Sequence, residues 1–306
     1  MNGHGLAILH LVLLLCCFTT TQLLGEEILL WPDKPGAEPT PHQDAQGNNI
    51  ERIVVREHPS LLVMLPDEQR RSGAGVVICP GGGYALLAFE KEALEIGQWL
   101  NQQGIAAFCL KYRCGGEPNG HPVPVEDGLR AMRLVASRAE QWGVDGNRIG
   151  VMGFSAGGHL AASISTLSDN GDPNAADPID RSPSRPAFSL LVYPVISMQQ
   201  RLTHAGSRRN LLGEHPTEEL VQQLTLDRRV TEQTPPTFLI HASDDKSVKV
   251  AHSLHYYQAL LAHKVSAEMH IFAVGGHGFG MRPQGQPVDA WPNLAEAWLA
   301  SQGLTK

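Results

Sequence analysis

From about residue 50 onward, short apolar runs alternate with stretches of helical periodicity, and this alternation constrains the fold more than any other feature. The runs at 75–79, 105–112, 148–154, 188–195, 237–241 and 267–273 read as strands, and 53–65 reads as one or two more. Between them, 89–103, 125–142, 156–167, 248–263 and 292–302 carry helical spacing, with Gly104 and Gly143 as stops. Strands without polar alternation are buried on both faces. A parallel sheet meets that demand, because its crossover helices cover each side. The expectation is an α/β fold with a mostly parallel central sheet and helices on both faces. Two segments break the pattern. Residues 169–186 are rich in Asp, Pro, Asn and Ser and read as a loop, while 197–236 are too short for a core of their own and are expected as a small cap insertion. The polar, proline-bearing stretch 27–49 reads as a surface arm.

Within this frame, Gly153-Phe-Ser-Ala-Gly157 falls at a strand end and opens a helix. The G-x-S-x-G setting presents a serine on a tight turn, with glycines where Cβ atoms would clash. The N-terminus of the following helix favours a developing negative charge. A serine hydroxyl needs a base before it is a useful nucleophile. His277, in VGGHGF just past a strand, is the candidate base. Asp245, shortly before the helix at 248, is the candidate acid that orients it, and its neighbour Asp244 is expected to cap or orient the loop. The chain order Ser, acid, His suits acyl transfer at the edge of such a sheet.

The triplet Gly81-Gly82-Gly83 directly follows the run at 75–79. Alone it suits a turn, a phosphate cradle or an oxyanion hole. No Gly-Lys-Ser/Thr follows it, and no dinucleotide fingerprint surrounds it. With a nucleophile at Ser155, the oxyanion hole is favoured, and the candidate donors are the backbone N–H groups of Gly82, Gly83 and Ala156. Tyr84, next in the chain, is a candidate lining residue of the acyl pocket. His159 reads as structural, and Trp99 and Trp142 as core or cap residues. His121, Arg201, Arg208 and Arg209 have no fixed role.

Charge narrows the partners. A net charge of −7, with no Lys/Arg-rich run, leaves no electrostatic footprint for nucleic acid or for an anionic membrane. The remaining expected partner is a small-molecule or polysaccharide ester. No metal or cofactor is expected, since no C-x-x-C or His/Cys cluster is present. Residues 6–18 form an apolar run of signal-peptide length, followed by polar threonines and the pair Glu26-Glu27. Residues 1–25 are therefore expected to be a secretory signal and 26–306 the catalytic domain. The mature protein is expected to be secreted or periplasmic, without membrane contact. A lipoprotein, raised by Cys16 and Cys17, and an uncleaved anchor are the lesser alternatives. Cys79 and Cys109 lie in apolar runs, where a thiol packs as a small hydrophobe.

Together these stretches resemble secreted esterases of the α/β-hydrolase superfamily, in particular acetylxylan-esterase-like and feruloyl-esterase-like proteins. The resemblance rests on ILLWPD at 28–33, CPGGGY at 79–84, LKYR at 110–113, the helix entry at 124–127, WGVD at 142–145, GVMGFSAGGHLA at 150–161, and the loops carrying Asp245 and His277. It implies an α/β-hydrolase fold over roughly residues 28–300. It also implies a serine esterase acting on short acyl esters, with acetyl on carbohydrate as the expected substrate. The chain departs from the pattern at Pro80, where a histidine is common. The donors survive that change, so the loop's bracing must come from elsewhere. A glycosidase would need two carboxylates flanking a sugar, and these motifs build an acyl-transfer site. The alternatives are a general short-chain carboxylesterase, a lipase, an oligopeptidase-type serine peptidase and a non-catalytic binding protein. The polar insertion disfavours the lipase, and the chain has no room for an oligopeptidase's propeller. The filled Ser, His and Asp positions disfavour the binding protein.

Overall fold

The computed structural model describes residues 1, 25–31, 40–41 and 51–306. The expected signal segment and most of the 27–49 arm lie outside the described residues. Eight strands form one sheet: β1 (Glu27–Leu29), β2 (Ser60–Met64), β3 (Gly75–Cys79), β4 (Ala106–Lys111), β5 (Ile149–Phe154), β6 (Ser189–Val192), β7 (Thr237–Ala242) and β8 (Ala267–Phe272). Their order is β1-β2-β4-β3-β5-β6-β7-β8. β2 runs antiparallel to both neighbours, and all other pairs are parallel. This is the expected mostly parallel α/β sheet. The start of the arm differs from expectation, because residues 27–29 form the edge strand β1. A three-residue strand carries no readable period. It is anchored by its Glu27 carboxylate, which meets the buried Lys111 ammonium at 2.6 Å and accepts the Ser60 hydroxyl.

The helices are α1 (Glu95–Gln102), α2 (Val123–Ser137), α3 (Ser155–Leu167), α4 (Ala205–Leu212), α5 (Glu218–Gln223), α6 (Ala251–Ala262) and α7 (Trp291–Ser301). α1 and α7 share one face, where Trp99 and Trp291 pack with ring centroids 6.0 Å apart. α2 and α3 pack together on the other. Every residue of β3, β4 and β5 is buried, as the unbroken apolar runs demand. Trp99 and Trp142 are core residues, and Cys79, Cys109 and Cys114 are buried free thiols.

Topology positions the site. The chain leaves β3 for β4 on one side, then returns to β5 on the other side of β3. Parallel α/β sheets bind ligands at such a reversal, beyond the carboxyl ends of the strands, because the loops there diverge and leave a crevice. The register sets Cys79 beside Gly153, so the glycine loop and the serine turn emerge as neighbours.

The insertion carries α4 and α5 and is fastened from below by two buried imidazoles. His159 Nε2 donates to Leu224 O at 2.9 Å. His252 Nδ1 accepts the N–H groups of Ile196 and Ser197 at 3.0 and 3.1 Å, and its Nε2 donates to Leu202 O. Burial pushes these rings down to about 4 and about 3, so both are neutral at pH 7.

Candidate active site

Ser155 begins α3 directly after β5, at φ 52°. That left-handed conformation is strained for a residue with a side chain. Its neighbours are packed as tightly. A Cβ on Gly153 would lie 2.2 Å from Gly157 O, and one on Gly157 would lie 2.1 Å from Cys79 O. The two glycines therefore permit backbone approaches that no other residue type tolerates. The turn leaves Ser155 only 7% exposed, at the floor of a cleft of about 530 Å³.

The loop after β8 brings His277 over this turn, with its Nε2 2.9 Å from Ser155 Oγ. Asp245, after β7, lies 2.6 Å from His277 Nδ1 through Oδ2. The other carboxylate oxygen accepts the N–H groups of Ser247 and Val248, both at 2.9 Å. Burial alone would raise the Asp245 carboxyl. Hydrogen bonding from His241 (3.4 Å away), His277 and the Val248 N–H outweighs it and holds the group well below the usual carboxylate range. An ionised Asp245 only accepts, so the His277 proton sits on Nδ1 and the Nε2 lone pair faces the serine hydroxyl. Asp244 does something different: its Oδ1 accepts the N–H groups of Gly275 and Gly276 and shapes the histidine loop.

The glycine loop faces the same cleft. Gly81 N–H is taken by Glu92 Oε2 at 2.7 Å. The N–H groups of Gly82, Gly83 and Ala156 have no partner among the described residues. For Ala156 this follows from its place in the first turn of a helix. Gly82 has φ 129° and Gly83 has φ 66°, which glycine adopts without strain.

The bracing absent from Pro80 is supplied by residues to which the sequence assigned no role at this loop. Tyr112 donates its hydroxyl to Pro80 O at 2.7 Å, and Asn210 of α4 donates to Gly83 O at 2.8 Å. Glu92 lies on a π-helical turn, Glu90–Leu94, that precedes α1, and its side chain is buried at the cleft's edge. Burial pushes its carboxyl up, and the bonds from Tyr193 and Gly81 offset only part of that rise. Tyr193 donates to Glu92 Oε1 at 2.9 Å and packs edge-on against His277, centroids 5.0 Å apart. Its oxygen accepts the Gly280 N–H. Glu92 and Tyr193 thus tie the glycine loop to the histidine loop. A carboxylate in FEKEAL carries no sign of this task, because charged residues on a helix are ordinarily solvated.

Tyr84 does not line the cleft. It is buried, with φ 58°, and its hydroxyl lies 2.9 Å from His159 Nδ1. Because His159 Nε2 donates to Leu224, Nδ1 accepts from Tyr84, and the pair is structural. A positive φ after two flexible glycines turned the side chain under the loop, an outcome invisible in residue order. His121, Arg201, Arg208 and Arg209 also stand off the cleft lining. Arg208 donates to Met198 O inside the insertion.

Known proteins share this arrangement of chain. The BD-FAE family model matches residues 61–260. The acetyl ester-xyloside bifunctional hydrolase from Caldicellulosiruptor lactoaceticus superposes with a TM-score of 0.82 at 39% identity, covering 92% of this chain and 98% of that one. The acetylxylan esterase of Xylanibacter ruminicola is 38% identical over 225 residues, which is 72% of this chain and 43% of that protein. Endo-1,4-beta-xylanase B of Butyrivibrio fibrisolvens is 34% identical over 222 residues, 72% of this chain and 34% of that protein. This chain spans less than half the length of either curated relative. β3 to β7, the glycine loop and the serine turn all lie inside the matched stretch. The chain belongs to the BD-FAE family and has the α/β-hydrolase fold of its esterase relatives.

Proposed function

We propose that the chain is a serine carboxylic-ester hydrolase that removes short acyl groups, acetyl foremost, from carbohydrate. The observation that carries this is the unbroken relay from Ser155 Oγ through His277 to Asp245, at 2.9 and 2.6 Å. Ser155 Oγ attacks the ester carbonyl while His277 Nε2 takes its proton. Asp245 holds the ring in the reactive tautomer and stabilises the imidazolium. The unpartnered N–H groups of Gly82, Gly83 and Ala156 receive the oxyanion. The tetrahedral intermediate collapses, its C–O bond breaks, and His277 returns the proton to the departing alcohol. Water then attacks the acyl-enzyme by the same route and frees the acid.

The cleft supports a small acyl group and a polar alcohol. Ala85, Leu86 and Ala88 are its only apolar lining side chains among the described residues, and no Phe, Tyr or Trp lines it. A lipase or a feruloyl site calls for a larger apolar surface. The acetylxylan esterase and acetyl ester-xyloside hydrolase named among the relatives fit the same chemistry. Export of the chain, with cleavage near residues 21–26, would place it where polysaccharide is found. Ser155→Ala is expected to lower 4-nitrophenyl acetate turnover by about 10⁴-fold or more with the fold intact. Near-normal turnover would refute the reading. Activity on 4-nitrophenyl esters should fall as the acyl chain lengthens past butyryl, and acetylated xylan should release acetate.

A further inference from the structure

The insertion places one imidazole in the cleft that the relay does not use. His204 is the N-cap of α4 and lines the cleft that Ser155 and His277 share. Its Nδ1 accepts the Ser207 backbone N–H at 3.2 Å and lies 2.9 Å from Ser207 Oγ. A ring nitrogen that accepts a backbone N–H carries no proton of its own, so a neutral ring has its hydrogen on Nε2. Burial pushes the His204 pKa down, and His277 adds to that while Asp245 opposes it, so the ring is neutral at pH 7. Nε2 has no protein partner among the described residues, yet it is not sealed from solvent. The ring also sits over the glycine loop: a Cβ on Gly83 would lie 3.7 Å from His204 Cε1. One turn and a half further along α4, Asn210 grips Gly83 O. The insertion therefore holds a neutral N–H donor of fixed tautomer at the wall of the cleft, beside the site of acyl transfer.

We propose that His204 is a specificity-determining residue, whose Nε2–H donates a hydrogen bond to a hydroxyl oxygen of a polyhydroxy alcohol carrying the scissile ester. It thereby selects sugar esters over esters of alcohols that lack such a hydroxyl. This rests on the assignment of Ser155 as the nucleophile. A single neutral donor left unpaired in the wrong complex discriminates by about one order of magnitude.

The test is His204→Asn. Asparagine is a favoured N-cap, so the helix start is retained while the ring donor is lost. Rates on acetylated xylo-oligosaccharide and on 4-nitrophenyl acetate are compared, normalised to active sites titrated by a fluorophosphonate. The ratio of kcat/KM for the sugar ester over the aryl ester is expected to fall about 10-fold, chiefly through a higher KM. An equal fall on both esters, or an unchanged ratio, overturns the proposal. A wild-type enzyme that hydrolyses the aryl ester but no sugar ester overturns it too, leaving the Ser155 mechanism standing. A wild type that is inactive on both esters and unlabelled at Ser155 overturns the esterase assignment as well.

Discussion

At the serine turn, where Ser155 has φ 52°, the closest backbone approaches that Gly153 and Gly157 permit lie within GFSAG and at the end of the strand beside it. At the glycine loop, the three braces come from residues 11, 32 and 127 positions away in the chain: Glu92, Tyr112 and Asn210. The first geometry is enforced by steric exclusion, which is short in range and harsh. The second is held by hydrogen bonds, each replaceable and each worth about 1 kcal/mol net. The serine turn is therefore expected to fail all at once when altered, and the glycine loop by degrees.

Gly157→Ala should show the first behaviour. Its Cβ would sit 2.1 Å from Cys79 O, a backbone atom in the fully buried β3 that cannot step aside. The expected outcome is loss of soluble protein, or a drop in Tm of about 10 °C or more with activity abolished. A soluble variant with wild-type Tm in differential scanning calorimetry would break the contrast.

Glu92→Gln should show the second behaviour. Glutamine keeps one acceptor for the Gly81 N–H but turns a donor toward the Tyr193 hydroxyl. kcat on 4-nitrophenyl acetate is expected to fall between about 10- and 100-fold, below the cost of deleting an oxyanion donor outright, with KM little changed. An unaltered kcat would mean that the glycine loop holds its shape without this bond.

The smallest effect concerns acid. Asn210 belongs to the insertion, which is fastened by His159 and His252 in their neutral forms. Their pKa values are about 4 and about 3 in the folded chain, against about 6.5 in an unfolded one. Below pH 6.5 the unfolded chain binds more protons, so these rings withdraw stability as pH falls toward 4. Glu92, whose carboxyl is raised by burial, works in the opposite direction. The comparison is therefore between slopes: Tm of His252→Asn should fall less steeply than that of wild type between pH 6.5 and 4.5, by roughly 5 °C over the interval. Parallel slopes would show that the insertion is held in some other way.

The same contrast explains what could be read in the sequence. Steric exclusion leaves a mark at the residues it constrains, so GFSAG and the placement of the β-strands were legible from residue order. So were His277 and Asp245, because the loops carrying them follow readable strands. The braces were not. Glu92 looks like one more solvated charge in FEKEAL, and Asn210 acts from an insertion with no strong pattern of its own. Tyr84 misled for a related reason: its side-chain direction is set by a positive φ and by His159, 75 residues away. β1 escaped notice because three residues cannot display a period.

The central claim is that Ser155 becomes acylated, driven by the His277–Asp245 pair. Brief exposure to a fluorophosphonate followed by intact-mass and peptide mass spectrometry tests it directly. The account predicts a single adduct on the peptide carrying Ser155, formed in step with loss of 4-nitrophenyl acetate turnover. It also predicts at least a 100-fold slower adduct in His277→Ala, because the serine then lacks its base. A stoichiometric adduct on another residue, or full turnover by protein labelled at Ser155, would contradict it.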